Sequence, residues 1–258
     1  MIEPSRADSP GGRWRFAWLV LPWYGAVQVA AWAGLPPTFQ AGWFWVWVGT
    51  VWASWAGWCW ACSTVVASGW LRLALFGAAL LVHARLGSLG NPTEPMMRYL
   101  FTMSGFGATL LVVYRLLAVP CLDSRVGTDG RAATRLQFGI GEVAALTGLV
   151  AFWIAAGRRY AADWDADQWG GLGASYLGLL AVAVLAGLTS TARRRIGRYL
   201  LALATLLVAA LAAAMLDMVD RYLSGNPGSV SSEYLQVFVV FAIWLLLLGY
   251  LSMVRPAS

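Results

Sequence analysis

The chain contains no lysine: all 18 of its basic residues are arginine. That absence excludes a lysine Schiff base, retinal chemistry included, and a P-loop lysine. There is one histidine, His83. One imidazole cannot supply bis-histidine haem ligation, a multi-histidine zinc site or an H-E-x-x-H motif. It also leaves a serine–histidine–aspartate triad only if His83 is its base. Charge is scarce as well, at 12% of 258 residues against 60% hydrophobic. An ordinary soluble domain is about 25% charged and about 45–50% apolar. A globule of this length has too little interior to hide so much apolar surface, so the excess faces lipid.

Cysteine is nearly absent too, with three residues, Cys59, Cys62 and Cys121, and no disulfide framework. Cys59-Trp60-Ala61-Cys62 has the C-x-x-C spacing that lowers a thiol pKa in redox proteins. It falls in an apolar helical stretch, where cysteine is ordinarily a small hydrophobe.

What the chain has in excess is apolar runs. A spanning helix needs roughly 20 mostly apolar residues, and runs of that kind recur throughout. Read against their breakers they predict helices at 14–34, 42–61, 66–86, 96–119, 136–156, 172–191, 198–222 and 233–253. The expected fold is all-α: a polytopic integral membrane bundle of about eight transmembrane helices in a single domain spanning 1–258. The division between 42 and 86 rests on a turn at Ser63, Thr64, Ser68 and Gly69. Arg13 and Arg15 before an apolar run, with Ala31-Trp32-Ala33 after it, imitate a secretory signal. The run is long and Trp-bearing, so an uncleaved first helix is expected.

Arginine placement sets the orientation. With the N-terminus inside, the inner segments hold twelve arginines: Arg6, Arg13, Arg15, Arg72, Arg125, Arg131, Arg135, Arg193, Arg194, Arg195, Arg198 and Arg255. The outer segments hold five: Arg85, Arg98, Arg158, Arg159 and Arg221. The positive-inside rule therefore puts both termini in the cytoplasm of a bacterial-inner-membrane type of cell membrane. It also accounts for the formal charge of +6 without a nucleic acid partner. Arg193-Arg194-Arg195 with Arg198 would additionally attract anionic lipid.

Two outer loops look related. Gly90-Asn91-Pro92 precedes Tyr99-Leu100, and Gly225-Asn226-Pro227 precedes Tyr234-Leu235, at a constant offset of 135. Arg13-Trp14-Arg15-Phe16 and Arg135-Leu136-Gln137-Phe138 match at an offset of 122. Two parallel four-helix repeats, 13–119 and 135–255, would produce both matches. Gly-Asn-Pro is also common turn chemistry.

Candidate site residues gather at the outer side: His83, Asn91, Glu94 and Arg98 in one half, Asp217, Asp220, Asn226 and Glu233 in the other. Arg98 and Glu233 are equivalent at the 135 offset and would pair across a pseudo-axis. Asp217 and Asp220 share a helix face, a geometry that binds a metal or shares a proton, or is simply solvated beside Arg221. Asp163-Trp164-Asp165-Ala166-Asp167 opens like a calcium loop but has Gln168 and Ala174 where glycine and glutamate are needed. Glu142 and Arg115 suit structural pairing near the inner face, and Gln28 suits a hydrogen bond between helices. Eight of the 16 tryptophans lie between Trp43 and Trp70. At about 100° per residue the seven from Trp43 to Trp60 spread around most of a helix. Interfacial anchoring and lipid-facing packing are the expected role.

No cofactor is expected. The expected function is binding or transport of a small amphipathic molecule or lipid, with membrane lipids and a protein partner or second copy as further partners. The alternatives are a non-catalytic subunit of a membrane complex or sensor, and, with the balance against it, a membrane enzyme using the outer cluster.

Overall fold

A computed structural model describes residues 11–32, 41–65, 69–87, 101–114, 140–160, 162, 164, 166–191, 195–224 and 232–253. These residues are helical almost without exception, and no strand occurs among them. The helices are α1 (Gly11–Trp32), α2 (Ala41–Val65), α3 (Gly69–Gly87), α4 (Phe101–Tyr114), α5 (Ile140–Tyr160), α6 (Ala166–Thr191), α7 (Arg195–Ser224) and α8 (Ser232–Met253). α2 and α3 are not one continuous helix, because Trp55 and Phe76, 21 residues apart, lie 5.2 Å from each other.

Among the described residues three helical stretches are long and apolar enough to cross a membrane: Trp169–Thr189, Ile196–Tyr222 and Glu233–Tyr250. At 1.5 Å per residue even the shortest reaches about 27 Å, close to the thickness of a hydrocarbon core. One face of α7 leaves Leu200, Leu203, Leu207, Leu211, Met215 and Met218 exposed. Such a face is stable in lipid and untenable in water. The opposite face buries Thr205, Ala209, Ala213 and Leu216. Small residues there let α6 approach closely, and Gly178 of α6 lies against Ala212.

The most extensive packing joins α6 to α7 and α2 to α8. α2 lies at the centre, packed extensively on α8 and α1 and touching α3 at fewer points. It meets α4 through Trp52 on Phe106 and Trp60 on Tyr114, and α6 through Trp60 at Gly187. Helix directions follow from these pairs. Gly49 lies against Val237 and Gly57 against Leu248, so α2 and α8 run parallel. Phe101 meets Trp169 and Phe106 meets Tyr176, so α4 and α6 run parallel. Trp52 with Phe106 and Trp60 with Tyr114 align α2 with α4. By contrast Gly157 meets Phe101 while Trp153 lies at Gly105, so α5 runs against α4. The four even helices therefore point one way, and α5 points the other.

The tryptophans of α2 correct the lipid-facing expectation. Trp55 is fully buried, and Trp52, Trp58 and Trp60 are half-buried against the main core. A helix surrounded on all sides buries every face, so tryptophans spread around it each reach a different neighbour. Trp55 Nε1–H donates to the Met103 carbonyl at 3.2 Å, and Trp244 Nε1–H donates to Thr50 Oγ1 at 3.1 Å. Tyr24 O–H donates to the Ala79 carbonyl at 3.3 Å, and Tyr176 O–H donates to the Thr102 carbonyl. Polar tips of large apolar rings thus tie helix to helix.

Candidate functional site

The hairpin end where α7 finishes and α8 begins carries the charged residues of the second half. Asp217 lies one position from buried Leu216, on the side of α7 that turns toward the bundle, and is 14% exposed. Arg221, one turn later and 36% exposed, places Nη2 2.8 Å from Asp217 Oδ2. An acid four residues before a base, at the C-terminal end of a helix, suits both the side-chain spacing and the helix dipole. Asp220 and Glu233 are exposed, and Glu233 sits in the first turn of α8, where the dipole favours a carboxylate. Tyr234 beside it is half-buried on the core, and its hydroxyl lies within electrostatic reach of Asp220, Glu233 and Asp217. Three carboxylates thus act on one tyrosine at the end of an apolar bundle, and Arg221 is paired to one of them.

That geometry separates the two aspartates. Asp217 is committed to Arg221, while Asp220 points to the exposed side. Among the described residues no group of three or more His, Cys, Asp or Glu is placed to hold a metal ion. Of the other candidates, Asn91, Glu94, Arg98 and Asn226 lie outside the described residues, as does the side chain of His83 on α3. The Arg98–Glu233 pairing, Arg115, Asp163, Asp165 and the side chains of Glu142 and Asp167 lie outside them too. Gln28 is buried on α1.

The buried serine and threonine hydroxyls are already engaged. Ser54, Ser63, Ser104, Thr189 and Thr205 each donate to a carbonyl three or four residues back on their own helix, at 2.7–3.0 Å. Such back-bonding satisfies a hydroxyl without a partner helix, and it removes these groups from the list of ready nucleophiles.

Sequence reasoning did not single out Tyr234, whose signal was its place beside Glu233. Nor did it find the aromatic group around fully buried Phe101: Trp153 stacks on that ring at 4.8 Å, and Trp164 and Trp169 meet it edge-on. Phe101 fills the space that a cation would need inside such a cage, so this group is packing. Tyr114 was missed as well.

The described residues define an all-helical chain with membrane-compatible helices. No protein-family model, curated protein or solved structure matches it.

Proposed function

We propose that the chain is an eight-span inner-membrane protein, with both termini cytoplasmic, which binds or transports a small amphipathic molecule or lipid bearing a cationic head. The observation that carries the reading is the group of three carboxylates acting on Tyr234 at the α7–α8 hairpin, one of them paired to Arg221. A head group with positive charge would meet Asp220 and Glu233 in the exposed position, and its apolar body would lie along the lipid-facing helices.

The span count draws support from packing. α2 runs parallel to α8 from Gly49–Val237 to Gly57–Leu248. A helix that keeps company with a spanning helix over that length crosses the same slab. α2 has no charged residue, and its many tryptophans lower mean hydropathy although their rings are largely apolar. The duplication draws support from paired contacts. If α1–α4 repeat as α5–α8, then α2 on α8 corresponds to α6 on α4, and both pairs pack in parallel. α6 on α8 corresponds to α2 on α4, and α1 on α8 to α5 on α4. Other pairs break the correspondence: α1 on α2 is far more extensive than α5 on α6, and α6 on α7 far more extensive than α2 on α3.

Native mass spectrometry of the protein taken gently from its own membrane, beside an Asp220→Asn/Glu233→Gln variant, tests the reading. Both side chains are exposed, so the exchange leaves stability within about 0.5 kcal/mol. A discrete small-molecule or lipid adduct that the variant loses is the expected result. Bare protein, or an adduct indifferent to the variant, overturns it in favour of a subunit role.

A further inference from the structure

The C-terminal end of α2 lies at the opposite end of the bundle from the α7–α8 hairpin, because the even helices run parallel. Cys59 and Cys62 sit there, 0% and 2% exposed, and neither is in a disulfide. Residues three apart on a helix share a face with Cβ atoms roughly 5–6 Å apart, so two sulfurs can flank one ion. Beside them is Tyr114 at the end of α4. It is 2% exposed, its hydroxyl has no hydrogen-bond partner among the described residues, and it lies within electrostatic reach of Cys59. Leaving a buried hydroxyl unmatched is unfavourable, and an acceptor at Cys59 would relieve it. The tyrosine is held in place by Trp60, at 4.7 Å between ring centroids, and Trp60 in turn occupies the space left by Gly187 of α6.

We infer that Cys59 and Cys62 form a two-coordinate site for a soft monovalent cation of the copper(I) or silver(I) class, with Tyr114 donating a hydrogen bond to a ligating sulfur. Two thiols and one ion give a bis-thiolate complex and release two protons; no electron is transferred. A reactive redox thiol needs a neighbouring positive charge to form its thiolate, and the described surroundings are apolar. A bound ion brings that charge itself and deprotonates the thiol outright. Thiolate donors select soft metals, and two of them fall short of the four that structural zinc takes. The bis-thiolate complex keeps one negative charge, which the Tyr114 O–H would meet. Ser63 does not compete, since its hydroxyl donates to the Cys59 carbonyl at 2.8 Å. Cys62 lies within one turn of the helix end at Val65, the direction from which an ion would arrive.

The test is anaerobic titration of the reduced full chain in detergent with silver(I), and with copper(I) held by a competing chromophoric chelator. Metal-edge X-ray absorption would count the sulfur neighbours. One ion per chain with two sulfurs is expected. Cys59→Ser and Cys62→Ser should each abolish that binding in protein whose elution and thermal transition match the wild type, whereas Cys121→Ser retains it. Tyr114→Phe keeps two sulfurs but binds about ten-fold more weakly, the worth of one hydrogen bond to a charged acceptor. Uptake surviving in a Cys59→Ala/Cys62→Ala variant overturns the site. So does failure of the reduced wild type to bind, or equal loss in Cys121→Ser. Because the site stands apart from the hairpin cluster, its failure leaves the amphipath reading untouched.

Discussion

The indole N–H of Trp55 on α2 donates to the carbonyl oxygen of Met103 on α4 at 3.2 Å, joining residues 48 apart in sequence. The same indole lies against Gly107, where a Cβ would come within 2.7 Å of the ring, and tilts onto Phe76 at 5.2 Å. Packing outweighs the hydrogen bond here, since interhelical hydrogen bonds in membranes average about 0.6 kcal/mol. Truncating a large buried aromatic costs about 3–5 kcal/mol. Trp55→Phe should therefore lower stability by about 1–2 kcal/mol and Trp55→Ala by about 3–5 kcal/mol. Reversible unfolding in mixed micelles measures both; equal losses would mean that the hydrogen bond dominates.

Gly187 and Trp60 form a second coupled pair. A Cβ at Gly187 would overlap the Trp60 ring, and a rigid indole between helices has little room to withdraw. Gly187→Ala should destabilise by about 1–3 kcal/mol, the usual cost of overpacking. Combining it with Trp60→Phe should recover part of that loss, because neighbours that share one space are not additive. A Cβ at Gly148 on α5 would meet nothing within 4 Å, so Gly148→Ala should be neutral or slightly stabilising. Thermal transitions of the four variants decide the matter; a Gly187→Ala protein as stable as wild type would sink it.

The Asp217–Arg221 pair should contribute little to stability. Its contact is short, at 2.8 Å, but Arg221 is 36% exposed and the two are one turn apart on the same helix. Pairs of that kind are worth about 0.3–0.5 kcal/mol, and salt screens them further. A double-mutant cycle with Asp217→Asn and Arg221→Ala should give a coupling of at most about 0.5 kcal/mol that fades at high ionic strength. Coupling several times larger and insensitive to salt would mean that lipid or a neighbouring segment seals the pair from water.

Much of the architecture was legible because lipid imposes a strong rule: apolar length is helix, and breakers are turns. The chain does reverse between α2 and α3, although Ser63 and Thr64 of the expected turn are still helical in α2 and Gly69 opens α3. Periodicity also held a message about α2 that a lipid-facing reading missed. Trp52, Trp55, Trp58 and Trp60 point around the helix because neighbours surround it, not because lipid does. Which neighbour each ring would meet was not legible, since Met103, Tyr114 and Gly187 are distant in sequence and nothing local connects them to α2. The candidate site was legible in part. Asp217, Asp220 and Glu233 stand out as charges in an apolar chain, yet spacing alone made the aspartates a pair, whereas Arg221 claims one of them.

The helix directions lead to a last prediction. Gly49–Val237 and Gly57–Leu248 make α2 and α8 parallel, so their C-terminal ends lie at one end of the bundle. The start of α8 then lies at the other end. In a Cys121→Ser background, Ala67→Cys and Ser258→Cys should react with a membrane-impermeant maleimide only from the cytoplasmic side, as the arginine asymmetry requires. Ser229→Cys should react only from outside. The buried Cys59 and Cys62 add little background in the folded protein. If Ala67→Cys labelled from the same side as Ser229→Cys, α2 would run against α8. The parallel inner helices would fall, and with them the matched four-helix halves and the placement of the two thiols away from the acidic hairpin.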